Sequence, residues 1–241
     1  MNNDFEKLIK GKKVAIVGSA SYMREKNYGQ SIDDHDLIVR INRGCEIVKS
    51  NEAYIGSRTD ILYSCLIEKS ENAGSWNSDM FINDYKLKYL CTTPESSMTG
   101  ISNFTSLHQM VDHRKYLDLS KKMPCRIVDA SFFTKIAKEI SCRPTTGYVA
   151  IYDILRYQPE KLSIHGFDFF YSGWYGNYKE GISSDVSDLL IKTLSSKRHK
   201  HKNMWQHAKN LLKVPNVAID DHLKKVLAVE EWWFNPEENK N

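Results

Sequence analysis

The chain has 241 residues with 34 basic and 30 acidic side chains, a formal net charge of +4 at pH 7, so its charge gives no reason to expect a nucleic-acid partner. Its 41% hydrophobic content is enough to bury a full core, and a single domain over residues 1–241 is expected, with a motif-bearing core at about 12–220 and a C-terminal helix at about 221–234. No run reaches the roughly 18 apolar residues of a membrane span, and residues 1–12 are too polar for a signal peptide, which makes a cytoplasmic location the expectation.

Lys13-Val-Ala-Ile-Val-Gly18 is a β-branched run ending in a glycine, the pattern of a buried strand entering a turn. The small residues that follow, Ser19, Ala20 and Ser21, would let a phosphate approach the backbone closely, although this is neither G-x-G-x-x-G nor a Walker loop. A second strand is expected over 36–42, behind the acidic Asp33-Asp34-His35-Asp36 cluster. Paired aspartates invite a metal reading, but here they precede the strand, at the end of a parallel sheet where ligands do not bind.

Further strands are expected at 59–64, 87–91, 126–128, 162–167 and 217–220, with helices at 132–140, 147–157, 203–213 and 221–233. Tyr148, Ile151, Tyr152 and Leu155 mark one face of the clearest helix, and Pro144-Thr145-Thr146-Gly147 provides its start. Unpaired amides and the helix dipole make that start a candidate anion site, with an ordinary N-cap as the alternative. This alternation defines the fold class as α/β, a doubly wound Rossmann-like domain with a mostly parallel central sheet.

Residues 171–185 read as a loop, either a plain surface segment or a lid over a binding site. The run Lys197-Arg-His-Lys-His-Lys202 is either a solvated charge stretch or a peripheral contact with an anionic membrane face. His199 and His201 within it are candidate proton acceptors near neutral pH. Five cysteines, Cys45, Cys65, Cys91, Cys125 and Cys142, lack C-x-x-C spacing, arguing against structural zinc or a disulfide framework.

In order, Val14-Ala-Ile-Val-Gly18, Ile32-Asp-Asp-His-Asp36, Val39-Arg-Ile-Asn42, Ile55-Gly-Ser-Arg-Thr59, Pro144-Thr-Thr-Gly147, Ile164-His-Gly-Phe167 and His201 through Gln206 resemble the motifs of the sialyltransferase family. The resemblance implies a GT-A-like variant of the α/β fold and transfer of a sugar from a CMP-sugar to a glycan or glycolipid hydroxyl. It implies no metal or other cofactor, and an inverting displacement with His201 as base and His199 as its rival. The CMP moiety would lie near Gly18, Ser19, Ala20, Asn42, Thr145, Thr146, Gly147, Gly166 and Phe167. Tyr171, Trp174 and Tyr175 would serve the departing phosphate or the acceptor, Tyr175 as a catalytic group, in a segment where the family usually has a His-Tyr pair. Gln206 replaces the family's final glutamate. Sialic acid is the first donor sugar expected and a Kdo-type keto sugar the second. A homologue that binds CMP without turnover and an unrelated NAD or S-adenosylmethionine enzyme are the alternatives.

Overall fold

Each β-branched run alternates its side chains between two faces, and here both faces are covered. The computed structural model describes residues 3–66, 78–94, 113–175, 190, 191 and 193–234. Seven strands pair: β1 (Lys13–Val17), β2 (Leu37–Ile41), β3 (Ile61–Ser64), β4 (Tyr89–Thr92), β5 (Cys125–Ile127), β6 (Lys161–His165) and β7 (Val217–Ile219). Every pairing is parallel, in the order β5-β4-β3-β2-β1-β6-β7.

The chain therefore steps outward from β1 to β5 and then returns to lay β6 on the other side of β1. That reversal opens a crevice beyond the carboxyl ends of β1 and β6, where open α/β sheets bind ligands.

The helices are α1 (Asn3–Ile9), α2 (Gly29–Asp33), α3 (Glu52–Ile55), α4 (His113–Ser120), α5 (Ala130–Glu139), α6 (Thr146–Leu155), α7 (His201–Ala208) and α8 (Asp221–Ala228). Val14, Ile16, Val39, Tyr63 and Ile164 face a core closed by Phe5 of α1, Phe133 of α5, Val149 of α6, Trp205 of α7 and Leu223 of α8. On the opposite face Ala15, Val17 and Ile38 meet Met23, Ile32 and Ile55, and Leu62 and Leu90 meet Phe81 and Leu119. Side-chain caps fix three helix starts: Asp129 for α5, Thr145 for α6 and Asp220 for α8.

All seven expected strands are present, but two helices differ from expectation. The helix expected over 221–233 stops at Ala228, where Val229 turns to an extended conformation. Trp232 and Trp233 then pack 5.6 and 6.2 Å from the buried ring of Trp205, and packing two partly buried indoles on it outweighs a little over one more helical turn. The helix expected over 203–213 begins at His201 and tightens into a 3-10 turn at Lys209–Lys213. Helices α1 to α4 were not expected, since most are too short to show a periodic face.

Buried Arg40 joins two of the sequence motifs. Its Nε donates to Thr59 Oγ1 at 3.0 Å, and its Nη2 donates to the carbonyls of Ile55 and Gly56 at 2.8 and 3.1 Å. The acidic cluster lies at the amino ends of the strands. Asp36 accepts from the Lys13 amide that opens β1, Asp33 accepts from the Ser57 amide, and Asp60 accepts from the Ile38 amide, each at 2.8 Å for the nearest oxygen. These carboxylates hold backbone. Among the described residues no three His, Cys, Asp or Glu side chains are grouped as a cation would need.

Candidate active site

The turns after β1 and β6 touch. The Gly18 amide donates to His165 O at 2.8 Å, and the Ala20 amide donates to Gly166 O at 3.0 Å. A Cβ on Gly18 would stand 2.3 Å from Gly166 O, and Gly166 itself has a φ of +70°. Only glycine fits either position without moving backbone. Gly147, in the first turn of α6, leaves room for Phe167, whose Cε1 would lie 2.8 Å from an added Cβ. These three glycines and Phe167 bring three chain-distant segments to the mouth of the crevice.

The crevice holds a cavity of about 380 Å³. Gly18, Ser19 and Ala20 form one wall and Thr145, Thr146 and Gly147 another. Asn42 closes the side next to β2. Its φ of +48° is tolerated by an asparagine, and its Oδ1 accepts from the Cys65 amide at 3.2 Å. Gly166, Phe167, Trp174, His199 and His201 complete the set that the motifs pointed to.

His201 opens α7 and is 4% exposed, with its ring edge-on to Phe170 at 5.0 Å. Burial, then the neighbouring His199, pushes its pKa down to about 3, against a hydrogen bond to the Thr193 carbonyl. His199 Nδ1 lies 2.8 Å from Arg143 O. A carbonyl only accepts, so Nδ1 carries the proton and Nε2 keeps its lone pair. Burial holds His199 down at about 4, with Arg198 and Arg143 adding to the effect. Both imidazoles are therefore neutral at physiological pH, the form that accepts a proton.

Two aromatic residues expected at the site lie elsewhere. Tyr175 is 1% exposed in the core beneath the first turn, and its hydroxyl donates to Gly18 O at 3.3 Å. Tyr171 is 55% exposed and stands outside the cavity wall. Of the segment expected as a loop or lid, 176–185 lie outside the described residues. Gln206 faces solvent, five residues along the helix and so on the side away from His201. The ring is held by the Thr193 carbonyl instead.

Sequence reasoning missed Arg143, Asp168, Thr93 and Cys65, all in the cavity wall. Each follows a strand's carboxyl end or precedes a helix start, and that position was the available signal. Arg143 is 8% exposed, just before the α6 cap, and burial, then Arg198, lowers its pKa to about 10. It stays cationic. With the α6 amides it makes this wall suited to an anion.

Fold and cavity define a Rossmann-like α/β protein whose ligand crevice sits at the sheet's switch point. Residues 7–180 match the family model described as glycosyltransferase family 29 (sialyltransferase), and the chain belongs to that family. His199 and His201 lie beyond the matched segment. The chain is 25% identical over 182 residues to the Gallus gallus protein CMP-N-acetylneuraminate-beta-galactosamide-alpha-2,3-sialyltransferase 1, covering 72% of this chain and 49% of the relative. It thus spans about half the length of that curated relative. A crystal structure of a mammalian sialyltransferase shares the fold at a TM-score of 0.59 and 16% identity, over 89% of this chain and 70% of that one. The Campylobacter jejuni sialyltransferase CstII, in complex with cytidine-5'-monophosphate, does so at 0.53 and 15%, over 89% and 87%.

Proposed function

We propose that this chain is a glycosyltransferase that moves sialic acid from CMP-sialic acid to a hydroxyl of a glycan or glycolipid, in one inverting displacement without a metal ion. One observation carries the reading: segments 18–20, 42, 145–147, 166–167 and 199–201 converge on a single cavity at the switch point. Relatives that carry CMP-N-acetylneuraminate in their name or are described in complex with CMP support the choice of donor.

In this mechanism the acceptor oxygen attacks the anomeric carbon as the bond to the CMP phosphate oxygen breaks. His201 takes the proton from the acceptor hydroxyl. The leaving phosphate gains charge in the transition state, and Arg143 together with the first amides of α6 meets it with fixed positive charge. In the empty cavity His201 is a weak base. An anionic donor beside it opposes the effect of burial and raises its pKa toward neutrality. Ser19, Ala20 and Asn42 lie against the nucleotide, and Trp174 shields the reacting centre from water. CMP-Kdo, also an acidic keto-sugar donor, is the second choice.

A cytoplasmic location, with Lys197, Lys200 and Lys202 exposed toward a membrane face, completes the proposal. None of the five cysteines forms a disulfide, which supports a reducing compartment. No described helix is long and apolar enough to cross a membrane.

Thermal stabilisation by CMP in EDTA, against UMP, GDP, NAD and S-adenosylmethionine, tests the donor site, because a ligand of the folded state raises Tm. A shift specific to CMP supports it, and preference for another nucleotide overturns it. CMP binding without hydrolysis of CMP-sialic acid or CMP-Kdo would identify a homologue that has lost turnover.

A further inference from the structure

The segment that leaves β6 passes through Gly166, Phe169, Phe170 and Gly173 with φ of +70°, +55°, +67° and +74°. Glycine enters this region freely. For two consecutive phenylalanines it crowds each Cβ against the backbone, so the conformation has to be held from outside. Asp168 closes the turn on itself: its carbonyl accepts from the Tyr171 amide at 3.0 Å, and its carboxylate accepts from the Ser172 amide at 2.8 Å. The Gly173 amide donates to Phe170 O at 3.1 Å. The far side is fastened to the turn after β1. Ser21 donates through its amide to Gly173 O at 3.3 Å and through its hydroxyl to Ser172 O, the Tyr22 amide donates to Ser172 Oγ at 3.3 Å, and the Tyr175 amide donates to Ser19 O at 3.2 Å.

Both strained phenylalanines line the cavity. The ring of Phe170 lies 5.0 Å from that of His201 at an interplanar angle of 88°, and 5.1 Å from that of Trp174. The Thr193 carbonyl holds the imidazole at one atom, which leaves its plane free to turn. A second ring set edge-to-face against it removes that freedom and keeps water from that side.

We propose that Phe170 is a positioning residue, which fixes the imidazole plane of His201 and, through the strained 168–173 turn, ties it to the Ser19–Tyr22 segment that walls the cavity; its catalytic consequence rests on the transferase reading above. The strain has a physical purpose in this arrangement. Relaxing Phe170 to a negative φ would redirect its side chain away from His201, and the bonds from Asp168 and Ser21 prevent it. A base fixed in this way is already oriented before the acceptor arrives.

The test compares Phe170→Asn with the wild type in the full chain. Asparagine accepts a positive φ, so the variant removes the ring while suiting the backbone. With CMP-sialic acid as donor, kcat is expected to fall about 10- to 100-fold, the cost of a misplaced catalytic group, while KM for the donor stays within about threefold. Proton NMR of the histidine rings gives a second readout that does not depend on turnover. In the wild type the His201 signal, identified by its loss in His201→Ala, stays that of a neutral imidazole between about pH 7 and 5, because burial holds its pKa at about 3. In Phe170→Asn water reaches the ring, and the midpoint should rise into that range toward the ordinary value of about 6.5, while His199 stays at about 4. Phe170→Leu, which keeps an apolar cover without the ring, should show both effects to a smaller extent and serves where the asparagine variant does not fold. An unchanged kcat overturns the proposal, as does a higher one, which an obstructing ring would give, or a His201 titration that does not move. In a wild type inert towards CMP-sugars, a raised His201 midpoint keeps Phe170 as the group that fixes the imidazole and removes the transferase reading.

Discussion

At the amino end of β2, Asp33 and Asp36 direct their carboxylates at backbone amides of neighbouring segments. At its carboxyl end, one residue past the strand, Asn42 stands in the same cavity wall as Ser19 and Thr146. Both ends belong to one stretch of family-like sequence, but the first holds the sheet together and the second shapes a ligand site. A motif's residues therefore do not share a role because they share a motif; the end of the parallel sheet on which each falls decides it.

The largest effect is expected at the carboxyl end. His201→Ala should lower kcat about 10²–10⁴-fold, the usual contribution of a general base, while CMP still raises Tm. If His199→Ala shows the larger loss instead, the two histidines exchange roles. A transfer rate unchanged in both variants would remove the histidine base from the mechanism.

Arg40→Met tests the frame that joins the two ends. It leaves the carbonyls of Ile55 and Gly56 and the Thr59 hydroxyl buried without this donor, and a loss of about 3–5 kcal/mol is expected in urea unfolding. A loss under about 1 kcal/mol would mean the 55–59 segment is held by other contacts.

Acid should also separate the regions. Burial holds His165 down at about 4, as it does His199, and His201 at about 3, against about 6.5 in the unfolded chain. Below about 6.5 the unfolded state takes up protons that the folded state refuses, so this stability is complete above that pH and is lost as pH falls. An upper bound is about 2 kcal/mol per histidine between pH 7 and 5. Melting curves across that range should flatten in His165→Gln, and an unchanged slope would show that His165 is hydrated in solution.

The smallest effect is expected at the amino end. Asp33→Asn weakens exposed bonds to the Ser57 amide and should cost about 0.5–1 kcal/mol, with CMP affinity unaltered in EDTA or in magnesium. A fall in CMP affinity, or rescue by magnesium, would make the acidic cluster part of the ligand site.

The parallel α/β fold was legible because buried strands are continuous β-branched runs and α6 is an apolar run that opens on a threonine cap, although it is buried nearly all round and not only along the face of Tyr148, Ile151, Tyr152 and Leu155. The cavity's glycine turns and histidines were legible because residue type and order survive in the sequence. Arg143, Asp168 and Thr93 were not, since each is unremarkable until a strand end aims it. The end of α8 was hidden as well, because residues 229–233 continue a helical pattern locally and leave it only to pack Trp232 and Trp233, partly buried, on Trp205.

The sequence by itself thus determined the strands, the glycine turns and the family, all of which depend on local pattern and order. Tertiary structure decided the rest. It placed Tyr175 in the core and Tyr171 at the surface, turned Gln206 away from His201, and made the acidic cluster a backbone clamp. The physical reason is that burial and partner geometry arise only when segments far apart in the chain meet, and no local pattern encodes that meeting.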